Sequence, residues 1–172
     1  MSSNLKLLKY RLKKFKILLI ALGALACAFV VSQFFFSVTF IYGESMEPTF
    51  HDKDVTLVNR TAAVKNNLGI NDVIVFKHTK ISPHLIVKRI VALPGQTVKI
   101  SDGELTVDGK AVKLVGNPIR TDESMEEITV PKDCYFVLGD NPQKSTDSRD
   151  SAFGFVTKDD IVGKIVLKIF PM

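Results

Sequence analysis

Thr97-Val98-Lys99-Ile100-Ser101-Asp102-Gly103-Glu104-Leu105-Thr106-Val107-Asp108-Gly109-Lys110-Ala111-Val112-Lys113-Leu114 decides the fold class of this 172-residue chain. Three short runs alternate apolar and polar residues, the period that puts one face of a strand toward a core. An Asp-Gly pair separates each run from the next. Those two residues supply the positive φ angles that a tight hairpin requires. The stretch therefore predicts a ribbon of antiparallel strands, and residues 96–133 are expected to form a small hairpin-built subdomain. Outward from it the pattern persists. Asp54–Val58, Asp72–Phe76, Leu85–Val91 and Ile161–Ile169 are short runs rich in β-branched residues, and Cys134–Leu138 is a further apolar run. No segment beyond residue 42 has a long helical apolar period. The expected fold class is all-β, an antiparallel sheet of barrel or sandwich type spanning residues 41–172.

The N-terminal part differs in kind. Ile17 to Tyr42 holds no charged side chain, and Ile17–Val31 is unbroken in its apolar character. About 20 helical residues cross a bilayer core, so residues 17–40 are expected to form a single transmembrane helix. A cleaved secretory signal has an apolar region of only ~7–15 residues followed by polar sequence. Here Phe34-Phe35-Phe36 extends the apolar run, which favours an uncleaved anchor.

Charge gives this anchor a direction. The chain carries 23 Lys and Arg against 18 Asp and Glu, a net charge of +5. Lys6, Lys9, Arg11, Lys13, Lys14 and Lys16 contribute +6 within residues 1–16, which leaves −1 for the rest. A nucleic-acid-binding domain carries its basic excess on the folded body, and this chain carries it on a tail. The partner read from the charge is therefore the lipid bilayer rather than nucleic acid. By the positive-inside rule residues 1–16 are a cytoplasmic tail and residues 41–172 lie outside the cytoplasmic membrane. Cys27 and Cys134 fall in different regions, which excludes a disulfide scaffold.

Three places carry residues suited to chemistry. Ser45 stands in a turn-forming stretch, Gly43-Glu44-Ser45-Met46-Glu47-Pro48-Thr49. Lys88 and Arg89 interrupt a strand that is apolar on both faces, so one of the two bases is expected to reach solvent and the other to be desolvated. A buried lysine loses its proton more readily and becomes a general base for a serine hydroxyl. Gly139-Asp140-Asn141 and Ser145-Thr146-Asp147-Ser148-Arg149 follow an apolar strand. Asp140, Asp147 and Asp150 do not have the spacing of a common calcium loop. His51, His78 and His84 lie in no distinctive motif and read as surface or turn residues. No metal or organic cofactor is expected.

Taken in order, Gly-x-Ser-Met-x-Pro-Thr at 43–49, Asp72–Phe76, Val87-Lys88-Arg89-Ile90-Val91-Ala92-Leu93-Pro94-Gly95, Gly139-Asp140-Asn141 and Ser145-x-Asp147-Ser148-Arg149 resemble bacterial type I signal peptidases. The short chain with one anchor is similar to the Gram-positive form. The resemblance implies a serine endopeptidase that removes signal peptides from exported preproteins after small-x-small motifs such as Ala-x-Ala. Ser45 would be the nucleophile and Lys88 the general base. Ser145 would orient the lysine amine, with Asp147 and Arg149 as a supporting polar pair. Gly43 stands where some relatives carry a serine that donates to the oxyanion, so the hole would rely on backbone, the Ser45 N–H. Pro142 replaces an arginine of many relatives, and Asp150-Ser151-Ala152 lengthens the following loop. Ile41, Tyr42, Met46, Phe50, Ile86 and Val87 would line shallow apolar substrate pockets. Two other classes lie nearby: signal-peptidase-like assembly proteins, some without the dyad, and self-cleaving repressors. Retention of Ser45 and Lys88 argues against the first, and the N-terminal span against the second.

Overall fold

A computed structural model describes residues 3–62 and 67–170. Residues 1–2 of the expected tail and 171–172 of the expected outer domain lie outside the described residues. The chain divides into two units, residues 1–36 and 37–172.

The first unit is one helix, α1, Ser3–Phe35. It contains no proline, and its Leu, Lys, Ala and Arg are good helix formers, so the helix runs unbroken through the basic tail. Lys9–Phe35 is long and apolar enough to cross a membrane, and its 27 residues measure about 40 Å. Its large apolar side chains, among them Ile20, Leu25 and Phe29, are exposed. The helix stops short of residue 40, the end expected for the span. Phe36–Phe40 is instead a strand, β1, with burial alternating along it. Ser37-Val38-Thr39-Phe40 places β-branched and aromatic residues in succession, a composition that fits a pleated surface better than a helix.

Among its described residues, the regular structure of the second unit is β, apart from two short 3₁₀ turns at Pro142–Lys144 and Lys158–Asp160. Its strands are β2 Val55–Asn59, β3 Val73–His78, β4 Ser82–Ala92, β5 Thr97–Ser101, β6 Glu104–Val107, β7 Lys110–Ala111, β8 Met125–Thr129, β9 Cys134–Leu138, β10 Val156–Thr157 and β11 Ile161–Phe170. They form a seven-stranded sheet, β1-β2-β11-β3-β4-β9-β10, and a four-stranded sheet, β7-β6-β5-β8. The register described for these strands is antiparallel throughout. Both Asp-Gly hairpins form. Asp102 and Gly103 have φ of 49° and 78°, and Asp108 and Gly109 have 49° and 71°, angles that match primed turns.

Among the described residues, three apolar clusters hold the unit together. Val98, Ile100, Leu105 and Val107 of the small sheet pack with Val91, Ala92, Phe136 and Leu138 of β4 and β9. Ile74, Phe76, Ile90, Val137, Phe153 and Ile161 form a second core on the large sheet. A third, Ile41, Met46, Phe50 and Val73, lies under the loop that follows β1. β4 is an interior strand with β3 on one side and β9 on the other, so its two bases do not stand on an edge.

Candidate active site

The loop between β1 and β2 carries Ser45, and apolar anchoring shapes it. Met46 and Phe50 turn inward onto Ile41 and Val73, while Phe50 N–H donates to the Met46 carbonyl at 2.9 Å. Asp54 N–H reaches the His51 carbonyl (3.2 Å) and Ile41 N–H reaches the Asp54 carbonyl (2.9 Å), which closes the loop on itself. With both neighbouring apolar anchors buried, half-buried Ser45 is presented at the surface of the cluster. Its carbonyl accepts the Asn141 N–H at 3.0 Å, which ties it to the segment after β9.

Lys88 enters from β4, opposite Ile74 of β3. Only 3 % of it is exposed. Its Nζ donates to Ser45 Oγ at 2.8 Å. Burial lowers its pKa from 10.5 to about 8; Asp147 and Asp140 oppose this fall, and the positive charge of Arg149 adds to it. In the neutral amine the same contact reverses, and the hydroxyl donates to the nitrogen lone pair.

Behind this pair lies a buried polar assembly. The Asp147 carboxylate accepts the Ser145 hydroxyl at 2.6 Å, the Gly139 N–H at 3.0 Å and Arg149 Nε at 2.7 Å. Ser148 pairs with Val137 through both its N–H and its hydroxyl, at 3.1 Å each, and fixes the segment against β9. Ser145 therefore spends its proton on Asp147. A Cβ on Gly139 would overlap the Ser145 hydroxyl and the Ser45 carbonyl, so Gly139 lets the two serine segments approach each other.

The expectation for the two strand bases needs correction. Arg89 does not reach solvent: it is 9 % exposed. Nε and Nη2 hold both oxygens of Asp140 at 2.7 and 2.5 Å, and Nη1 donates to the Asn71 carbonyl at 2.7 Å. Thr49 of the serine loop donates to the same carboxylate at 2.5 Å. A buried charge pair with its lone pairs occupied costs far less than an unpaired charge, so both bases can lie inside. Sequence reading missed this link, which joins the serine loop, β4 and the Gly-Asp-Asn turn. The acid that follows a glycine after an apolar strand was the available signal, but the face it would meet was not.

Of the residues considered for pockets, Ile41, Met46 and Phe50 share one cluster, and Val87 packs against it. Ile86 packs against the second core instead. Tyr42 is 79 % exposed. Asp140 and Asp147 are each paired with an arginine, and Asp150 caps Ala152 N–H at 2.8 Å. Among the described residues no group of His, Cys, Asp and Glu is arranged to hold a metal ion. His78 lies 2.9 Å from the Phe153 carbonyl, while His51 and His84 are exposed.

A sequence model of the signal peptidase, peptidase S26, family matches residues 14–170. The chain belongs to this family. Among curated members, signal peptidase I P of Bacillus subtilis subsp. natto is 36 % identical over 160 residues, covering 86 % of this chain and 84 % of that one. Signal peptidase I T of Bacillus subtilis (strain 168) is 33 % identical over 158 residues, covering 86 % and 81 %. A crystal structure of a signal peptidase I from Enterococcus faecalis V583 shares 30 % identity, covers 58 % of this chain and 97 % of its own, and has a TM-score of 0.47. As a member of the signal peptidase family the protein is a peptidase, and its β unit with one N-terminal apolar helix is the architecture that must carry that activity.

Proposed function

We propose that this signal peptidase is a membrane-anchored serine endopeptidase that removes N-terminal signal peptides from exported preproteins, cutting after small-x-small motifs. The observation that carries the reading is the 2.8 Å contact between buried Lys88 Nζ and Ser45 Oγ. A pKa of about 8 in place of 10.5 raises the neutral fraction of Lys88 at pH 7.4 from about 1 in 1,000 to about 1 in 5.

Neutral Lys88 takes the Ser45 proton as Oγ bonds to the scissile carbonyl carbon. The oxyanion that forms accepts the Ser45 N–H. Protonated Lys88 gives its proton to the leaving amine as the C–N bond breaks, which leaves an acyl-enzyme ester. Lys88 then takes a proton from water, the hydroxide displaces Oγ, and the proton returns to Ser45. Asp147 and Arg149 hold Ser145 and the Gly139 turn beside the pair. An extended substrate would lie along a strand edge with alternate side chains over the Ile41, Met46, Phe50 and Val87 cluster. Ile86 and Tyr42 would border that region. The helix would cross the cytoplasmic membrane with residues 1–16 inside, so that residues 41–172 meet exported chains outside, in contact with lipid and with no nucleic-acid partner.

Cleavage of a purified preprotein by the full chain in detergent tests the dyad. Ser45→Ala and Lys88→Ala are each expected to lose at least about 10³-fold in kcat. Cleavage at the wild-type rate by either variant overturns the assignment.

A further inference from the structure

Arg149 grips two carboxylates, and the mechanism above uses only one. Its Nε and Nη2 face Asp147, and Nη2 also reaches the carbonyls of Pro142 (2.8 Å) and Ser145 (3.2 Å). Its Nη1 donates to both oxygens of Glu123 at 2.9 Å each. A guanidinium is planar and forked, so carboxylates on two of its edges fix both its position and its plane. The Arg149 side chain is 10 % exposed and that of Glu123 31 %, so this pair is shielded well beyond an ordinary surface bridge.

Glu123 belongs to the approach to β8 in the small sheet, whereas the dyad rests on the large one. Its backbone is held there. The Glu123 carbonyl accepts the Gly103 N–H at 3.0 Å, and the Glu123 N–H donates to the Arg120 carbonyl at 3.1 Å. A Cβ on Gly103 would stand 2.6 Å from the Arg120 carbonyl oxygen, so the β5–β6 turn and the Glu123 segment are packed without slack.

We propose that Glu123 is a positioning residue for the dyad, locking the Arg149 guanidinium so that Asp147 and Ser145 hold their places beside Ser45 and Lys88. The approach to β8 thereby adds a side-chain support to the site, beyond the apolar packing of the small sheet on β4 and β9. Glu123 touches neither the nucleophile nor the base; its influence passes through Arg149. The charged groups that bear on Lys88 directly are Asp147, Asp140 and Arg149. This inference rests on the Ser45–Lys88 reading.

The test is a double-mutant cycle on preprotein cleavage by the full chain in detergent, with Glu123→Ala, Arg149→Ala, the double variant and Ser45→Ala. Glu123→Ala is expected to lower kcat about tenfold with KM changed less than about twofold, the mark of a displaced catalytic geometry rather than lost substrate binding. In the Arg149→Ala background the same change should cost nothing further. Glu123→Gln, which keeps an acceptor oxygen, should lie between wild type and Glu123→Ala, and it replaces Glu123→Ala in the cycle if that variant does not melt cooperatively. Wild-type kcat in the Glu123 variants, or an equal loss with and without Arg149, overturns the inference. Activity remaining in Ser45→Ala overturns the dyad instead, which separates the two failures.

Discussion

Lys88 is buried, and its amine is held well below the ordinary lysine value. Depressing a lysine from 10.5 to about 8 corresponds to roughly 3 kcal/mol net against its charged form, with burial as the main cause and Asp147 and Asp140 opposing it. This cost falls where the amine touches Ser45. A pH dependence follows. In the proposed mechanism the active form is the neutral amine, so activity is expected to be lost as pH falls through the Lys88 value. Below pH 8 kcat/KM of preprotein cleavage should drop by about tenfold per unit, with a plateau above it; a profile flat from pH 6 to 9 would remove Lys88 as the base. Arg89 shows where residue-level reading stops. Strand alternation says that Lys88 and Arg89 point to opposite faces, but it does not say what lies on each. Asp140, 51 positions away, supplies the partner that allows Arg89 to be buried, and only the paired strands β4 and β9 bring it there.

Among the elements, the hairpin ribbon was legible because alternation and turn chemistry agree, although its third strand, β7, is only Lys110–Ala111 and ends before the expected Val112–Leu114. β1, β8 and β10 were not. Met125-Glu126-Glu127-Ile128-Thr129 sets two acids side by side, which breaks the alternation, and its place in the sheet comes from pairing with β5. Val156–Thr157 is too short to leave a pattern, and β1 is hidden in a run that reads as membrane helix. For the proposed site, motifs singled out Ser45, Lys88, Ser145, Asp147 and Arg149, whereas Glu123 and Gly139 enter it only through contacts that cross between segments. The turn after β9 offers a direct probe. Gly139→Ala would push a methyl group into the Ser145 hydroxyl and the Ser45 carbonyl, and separating the two serine segments by about 1 Å should lower kcat about 10²-fold. Thermal melting beside the kinetics distinguishes displacement from unfolding. A folded Gly139→Ala protein with wild-type kcat would show that this close approach does not matter.

At the scale of the whole molecule, the net charge of +5 resolves into a basic helical start and a body close to neutral. The proposed orientation has a plain check: protease added to right-side-out membrane vesicles should digest residues 41–172 and spare the N-terminus, and full protection of the β unit would reverse the topology. The helix gives way to β1 with no residue between Phe35 and Phe36. Ser45 follows Phe35 by ten positions, a length of chain that spans at most about 35 Å when fully extended. With α1 in a bilayer, that length of chain limits how far Ser45, the proposed nucleophile, can stand from the lipid. Any substrate whose own apolar segment lies in the same bilayer is sought across a surface rather than through a volume. Its working concentration is then counted per lipid. Adding empty detergent micelles at constant enzyme and preprotein should slow cleavage, although no contact within the protein has changed.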